Sequence, residues 1–308
     1  MNKEIQQIIH EIDFEKIVKH PNILIAARFW DDRRFHAAKV CYRFMRMIDD
    51  YVDDRKALGK EISCLERDEL SEQVNHWIDC LDKMEEADPF YSELVETVSR
   101  FRIPLPLFQN FARSMLFDID HDGFDTLDQF LEYSEGASVA PASIFVHLCC
   151  LREGINGYIA PGIDVIEAAR PCALFSYIVH IIRDFQQDQL SNLNYFATDI
   201  LQRHRLQPSD LKVIASTGVI PDSFREVIRE YLEYARYFND RTLEVMDRLS
   251  DRLEGNNFLS LKIIYHLYKM VFDRIDPDRG NFTTSELNPT PLEIRERVME
   301  VVSGTSRD

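Results

Sequence analysis

Two pairs of aspartates in this 308-residue sequence carry a spacing that metal chemistry needs: Asp49 with Asp53, and Asp184 with Asp188. Each pair is separated by one helical turn, so both carboxylates of a pair project from one helix face. On an isolated helix such like charges repel by about 0.2–0.5 kcal/mol, and a divalent cation relieves the repulsion. Magnesium (Mg2+) prefers oxygen ligands, keeps several waters and is commonly shared between one or two carboxylates and substrate phosphates. Two such faces turned towards each other would hold Mg2+ around a diphosphate. With 53 acidic residues in the chain, one lone pair reads most simply as a solvated helix end. Two features favour function for both pairs. Each follows a strongly apolar run, and each is preceded by an arginine, Arg46 or Arg183, suited to gripping phosphate oxygens.

The elements that must position these residues are helices. Only 10 Gly and 12 Pro interrupt the chain, and between them apolar residues recur every three or four positions, without the alternation of strands. The periodicity predicts helices over approximately 22–52, 62–82, 90–101, 105–118, 126–151, 163–190, 222–250, 257–275 and 291–303. No Gly/Ser/Pro-rich linker and no repeat of 20–50 residues is present, which predicts one all-α domain over 1–308 with its motif-bearing core at roughly 20–275.

Composition narrows the function classes. A formal charge of −17 makes nucleic acid a poor partner, whereas an anionic diphosphate remains acceptable where a divalent cation reverses the local sign. The first twenty residues carry charges throughout and lack an apolar signal core, so a cytoplasmic location is expected. No stretch reads as a membrane span of about 18 uncharged apolar residues, although a lipid substrate is compatible with peripheral membrane association. The six cysteines have no CxxC or zinc spacing and read as reduced, mostly buried thiols.

The run from Phe35 to Asp54, with Tyr42, Arg46, Asp49 and Asp53 in it, resembles the first aspartate-rich motif of squalene, dehydrosqualene and phytoene synthases. Arg183-Asp184 through Asp188 resembles the second. Between them, Ile103-Pro104 to Phe108, Phe117-Asp118 and Leu131-Glu132-Tyr133 look like the segments leading to the family's central tyrosine, and Asn194-Tyr195-Phe196 like the segment carrying another. The resemblance implies an isoprenoid synthase fold, a single helical bundle around a central hydrophobic cavity, with Mg2+ held between facing aspartate helices. It implies Asp49, Asp53, Asp184 and Asp188 as metal ligands, Arg46 and Arg183 as diphosphate-binding groups, and Tyr42, Tyr133 and Tyr195 as active-site tyrosines. The activity so implied is head-to-head condensation of two farnesyl or geranylgeranyl diphosphates.

The chain departs from the family's QxxNxxRDxxxD pattern by placing Tyr177 at the Gln position and His180 at the Asn position. The family's Asn helps coordinate magnesium, whereas imidazole suits softer metals. His180 therefore reads equally as a core histidine or as a proton carrier in catalysis. Ser134 to Ala142 lacks the usual VAGxVG arrangement, and Pro141 is expected to kink its helix. These departures keep a second expectation open: a prenyltransferase onto a small-molecule acceptor, or a cyclase on the same fold. No glycine-rich dinucleotide motif supports a reductive step.

Overall fold

Asp31 starts the helix that carries the first aspartate pair. Its carboxylate accepts from the backbone N–H groups of Arg33 (3.0 Å) and Arg34 (3.1 Å), donors that a first helical turn leaves free. The helix runs Asp32–Ala57 in a computed structural model that describes residues 3–15, 22–59, 62–84, 89–121, 123–155 and 157–304. Ala37, Cys41, Phe44, Ile48 and Val52 form a buried stripe along it, which fixes its rotation and brings Asp49 and Asp53 to the edge of the buried face. The single helix expected over 22–52 is divided into Asn22–Ala27 and Asp32–Ala57, because Asp31 takes extended backbone angles (φ −61°, ψ 156°) to act as the cap.

The second aspartate helix, Val165–Arg183, is capped by Asp164, whose side chain accepts from the N–H groups of Ile166 and Glu167. Its buried residues lie all round it, and it packs against the helices Ala140–Cys150, Asp222–Ser250 and Gly255–Phe272. This 19-residue helix is long and apolar enough to cross a membrane although Glu167, Arg170 and Arg183 interrupt it; its packing against three helices is that of a core element. It ends at Asp184, whose backbone (φ −92°, ψ 2°) turns the chain into a separate short helix, Phe185–Leu190. The uninterrupted helix expected over 163–190 is thus broken inside the second motif. The Asp188 N–H still donates to the Asp184 carbonyl at 2.8 Å, so the one-turn relation of the pair survives the break.

The helix expected over 126–151 is three pieces: Leu127–Ser134, a π-helical turn Glu135–Val139, and Ala140–Cys150. Pro141 has no N–H to give to Ala137, and the wider turn ahead of it accommodates its ring. Gly136 lies in that turn where a Cβ would stand 2.3 Å from the Asn110 carbonyl and 2.1 Å from Ser114 Oγ. Gly136→Ala should therefore force a backbone shift that costs about 1–3 kcal/mol. Its thermal melt, followed by circular dichroism, should fall by several degrees; an unchanged melt would show that Leu105–Asp120 yields freely.

The remaining expected helices are present as Cys64–Asp82, Pro89–Phe101, Leu105–Asp120, Asp222–Ser250, Gly255–Phe272 and Pro291–Ser303. Periodicity missed the short Lys3–Glu11, Thr198–Arg203 and Pro208–Thr217, as well as an antiparallel hairpin pairing Arg152–Gly154 with Gly157–Ile159. Gly157, which opens the second strand, has φ +111°, a value that favours glycine. All six cysteines are free, with Cys41, Cys80, Cys149 and Cys150 buried. The two aspartate helices, with Ala140–Cys150, Asp222–Ser250 and Gly255–Phe272, wall a cavity of about 380 Å³.

Candidate active site

One end of this cavity is acidic and the rest is apolar. Asp49, Asp53, Asp188 and Arg46 line it together with Tyr42, Tyr133, Tyr195 and His180, so eight of the ten side chains singled out from the sequence converge there. The apolar wall includes Phe111, Met115, Phe145, Leu148, Val245 and Leu261. Such a division suits a ligand with a polyanionic head and a hydrocarbon tail.

Burial raises these carboxyls, and for Asp53 and Asp188 neighbouring carboxylates raise them further. Burial is the largest influence on Asp53, and the nearby charges of Asp49 and Asp118 add to it, pushing its carboxyl up to about 7. Asp188 is pushed up to about 8, by burial first and then by Asp184 and Asp53. The influence of Asp53 on Asp188 joins the two motifs electrostatically. Asp49 is also raised by burial, against the opposing pull of Arg46 and His180. Arg46 makes ion pairs with both Asp49 and Asp50.

Folded-state values above the ordinary carboxylate range fix the sign of a pH effect. Between roughly pH 4 and pH 8 the folded, metal-free protein binds more protons at Asp53 and Asp188 than the unfolded chain does, so their contribution to stability is lost as pH rises through that window. The melting temperature in chelator should accordingly fall between pH 5 and pH 8, with the slope reduced in an Asp53→Asn, Asp188→Asn double variant. A slope identical in that variant would show that the two groups titrate normally.

Arg183 and Asp184 are placed differently from the other eight. Arg183 Nε and Nη2 reach Asp184 Oδ1 and Oδ2 at 2.7 and 2.6 Å, and His180 Nε2 lies 2.6 Å from Oδ2. Both residues are mostly buried and absent from the cavity lining. Burial alone would raise Asp184, but His180 and Arg183 together outweigh it and hold the carboxyl well below its usual range. Only His180 of this trio, 43% exposed, faces the cavity.

Three tyrosines with buried hydroxyls form one wall. Tyr177 stacks on Phe130 at 5.4 Å and on Tyr133 at 6.3 Å, and meets Tyr195 and His180 edge-on at 6.3 and 6.2 Å. Burial drives the phenols of Tyr133, Tyr177 and Tyr195 well above their ordinary values, with the surrounding aspartates adding to it, so all three are neutral hydroxyls. Tyr42 is raised to about 12, again mainly by burial.

The sequence reading gave no role to three groups: Tyr268, which lines the cavity, and the pair Lys56 and Asp118 behind Tyr133, although Phe117-Asp118 lay in a family-like segment. Asp118 had a visible signal, a carboxylate in the apolar Leu105–Asp120 helix; Lys56 had none. Among the described residues no three His, Cys, Asp or Glu side chains are grouped so as to hold a metal ion unaided. The acidic end offers oxygen donors that a hard cation would take up jointly with a ligand's own oxygens.

The all-helical architecture is that of the isoprenoid synthases. A dehydrosqualene synthase structure superposes over 98% of this chain and 99% of its own with a TM-score of 0.67 at 14% identity. The squalene synthase HpnC from Alicyclobacillus acidocaldarius does so over 89% and 94% with a TM-score of 0.63 at 13% identity. The squalene/phytoene synthase family matches residues 19–293, and the chain belongs to that family. It is similar to the chloroplastic phytoene synthase of Narcissus pseudonarcissus, 24% identical over 263 residues, 81% of this chain and 55% of the relative. The chloroplastic phytoene synthase 2 of Solanum lycopersicum is 23% identical over 256 residues, 82% and 76% respectively. The chain thus spans little more than half the length of the Narcissus relative.

Proposed function

We propose that this chain is a magnesium-dependent prenyltransferase that ionises an allylic prenyl diphosphate and joins the resulting cation, head to head, to a second farnesyl or geranylgeranyl diphosphate. The observation that carries this reading is the convergence of Asp49, Asp53 and Asp188, from two helices, at one end of an otherwise apolar cavity. Burial and neighbouring carboxylates make Asp53 and Asp188 hard to ionise without a cation beside them, and the all-oxygen donor set fits Mg2+. Asp49, Asp53 and Asp188 would hold the metal, with Asp184 as the fourth carboxylate that the family pattern assigns to it. Bound magnesium would neutralise the diphosphate's charge and make it a better leaving group.

The chain's own residues supply the rest. Arg46, already at the acidic end, takes diphosphate oxygens by exchanging its Asp50 contact for them. Arg183 acts from behind, fixing Asp184 through two hydrogen bonds. The apolar wall excludes water from the cation, and the faces of Tyr133, Tyr177 and Tyr195 stabilise positive charge by cation–π attraction, about 0.5–2 kcal/mol per ring. Tyr133 is the group we assign to the proton loss that ends the reaction. Work at a cytoplasmic membrane surface is consistent with such substrates.

Incubating the purified protein and Mg2+ with farnesyl or geranylgeranyl diphosphate tests the reading. Mass spectrometry should find a hydrocarbon or cyclised diphosphate with twice the carbon count of the substrate. A product joined to another acceptor, or cyclised within one chain, would replace head-to-head coupling by the acceptor or cyclase reading.

A further inference from the structure

Behind Tyr133 lies a buried pair of charges that the proposed reaction has not yet used. The Tyr133 hydroxyl donates to Asp118 Oδ2. Asp118, with a side chain 7% exposed, lies 3.6 Å from Lys56 Nζ through its other oxygen, and the Lys56 side chain is itself only 8% exposed. Lys56 Nζ also donates to the His121 carbonyl at 3.0 Å. The three groups come from three helices: Lys56 lies one turn beyond Asp53, Asp118 at the end of Leu105–Asp120, and Tyr133 in Leu127–Ser134. Ser114 Oγ ties the Tyr133 carbonyl to the same Asp118-bearing helix at 2.8 Å.

An ion pair this buried is costly to desolvate, and hydrophobic residues of similar volume would commonly serve stability as well or better. Its geometry has a consequence for Tyr133. Because the phenolic hydrogen is committed to Asp118, the Tyr133 oxygen can act only as an acceptor, towards the neighbouring Tyr177 hydroxyl with which it is hydrogen-bonded and, through its second lone pair, towards the cavity that both tyrosines line. Tyr133 is thereby oriented as an acceptor, which a freely rotating phenol would not be.

We propose that Asp118 and Lys56 are positioning residues for Tyr133, and that Asp118 takes up the phenolic proton as Tyr133 accepts the proton lost from the carbocation. This rests on the prenyltransferase reading above. In the step, the C–H bond on the carbon 1,3-related to the cationic carbon breaks and its electron pair closes the carbon–carbon bond of a cyclopropane ring. The proton passes to the Tyr133 oxygen as the phenolic proton moves to Asp118. The substrate's positive charge and the carboxylate's negative charge are both extinguished, and Lys56 keeps its own. Burial holds the Asp118 carboxyl above its ordinary value, in keeping with an acceptor that can retain the proton. The pair is reset when Tyr133 passes the substrate's proton to the diphosphate released in the cavity and takes its own proton back from Asp118.

The test compares diphosphate release with coupled product, for farnesyl and geranylgeranyl diphosphate, in the full chain with Mg2+. Asp118→Asn keeps shape and a hydrogen-bond acceptor but cannot take a proton. Release should stay within about threefold of wild type while coupled product falls about 100-fold or more, the usual worth of a general base. Tyr133→Phe should show the same split, and the Tyr133→Phe, Asp118→Asn double variant should lose no more product than either single change, because the two act as one unit. Should Asp118→Asn alone fail to fold, the Lys56→Met, Asp118→Asn double variant removes both buried charges and must show the split. Parallel loss of release and product, additive losses, or full product formation without the carboxylate would overturn the relay. Wild-type protein that releases no diphosphate from either substrate would instead overturn the prenyltransferase reading, and the relay with it.

Discussion

Asp53→Asn is expected to reduce magnesium-dependent diphosphate release by at least about 100-fold while raising the stability of the metal-free protein. Asp53 lies between the two motifs electrostatically: Asp49 and Asp118 raise it, and it in turn raises Asp188. Removing its charge takes one anionic oxygen donor from the proposed metal site, and electrostatic stabilisers of a developing charge are commonly worth 10²–10³-fold each, about 2.7–4 kcal/mol. The same substitution removes a carboxylate that the fold makes hard to ionise. Near pH 8 this should stabilise the metal-free chain by on the order of 1 kcal/mol, seen as a small upward shift of the melt. The two effects have opposite signs, which is the mark of a site built for a ligand rather than for the fold. A variant that loses activity and stability together would make Asp53 structural, and one that keeps full release would remove it from the metal site.

The first motif was legible because residue type, spacing and helix coincide. Asp49, Asp53 and Arg46 all sit on Asp32–Ala57, so the one-turn spacing translates directly into a shared face. The second motif was legible as a pattern only. Nothing in the sequence around Arg183-Asp184 announces that the helix ends at Asp184, nor that Arg183 and His180 both turn onto its carboxylate, because those choices depend on what packs around the break. Helix existence followed from apolar periodicity, but interruptions did not: the π-helical turn before Pro141 answers to the close approach of Asn110 and Ser114 to Gly136, a contact across 22–26 residues. The Lys56, Asp118 and Tyr133 array joins three separate helices, and no local signal foretells such a meeting. Resemblance to relatives supplied the tyrosines, and the structure supplied what stands behind them.

His180→Asn is expected to retain or increase diphosphate release and to lower the Mg2+ concentration needed for half-maximal rate by about tenfold, the scale on which groups supporting a metal site act. His180 stands where the family pattern has an asparagine, and its Nε2 lies 2.6 Å from Asp184 Oδ2, an oxygen also held by Arg183. An oxygen already bound to two nitrogen donors is poorly free to bind a cation. Asparagine is shorter, so it releases one of those donors, and its carbonyl is a harder ligand than imidazole for magnesium. Asp184 keeps its two bonds from Arg183 and hence its orientation. The rival role follows from where His180 sits: it faces the cavity and meets the ring of Tyr177 at 6.2 Å, close enough to serve the cation's later fate. If it carries a proton or holds an acceptor there, the substitution would leave release intact and change or abolish the carbon product. Titrating Mg2+ against release and product in parallel separates the two: a shift of both curves to lower Mg2+ supports control of Asp184, and release without product supports a proton-carrying role. Curves identical to wild type would confine His180 to packing against Tyr177.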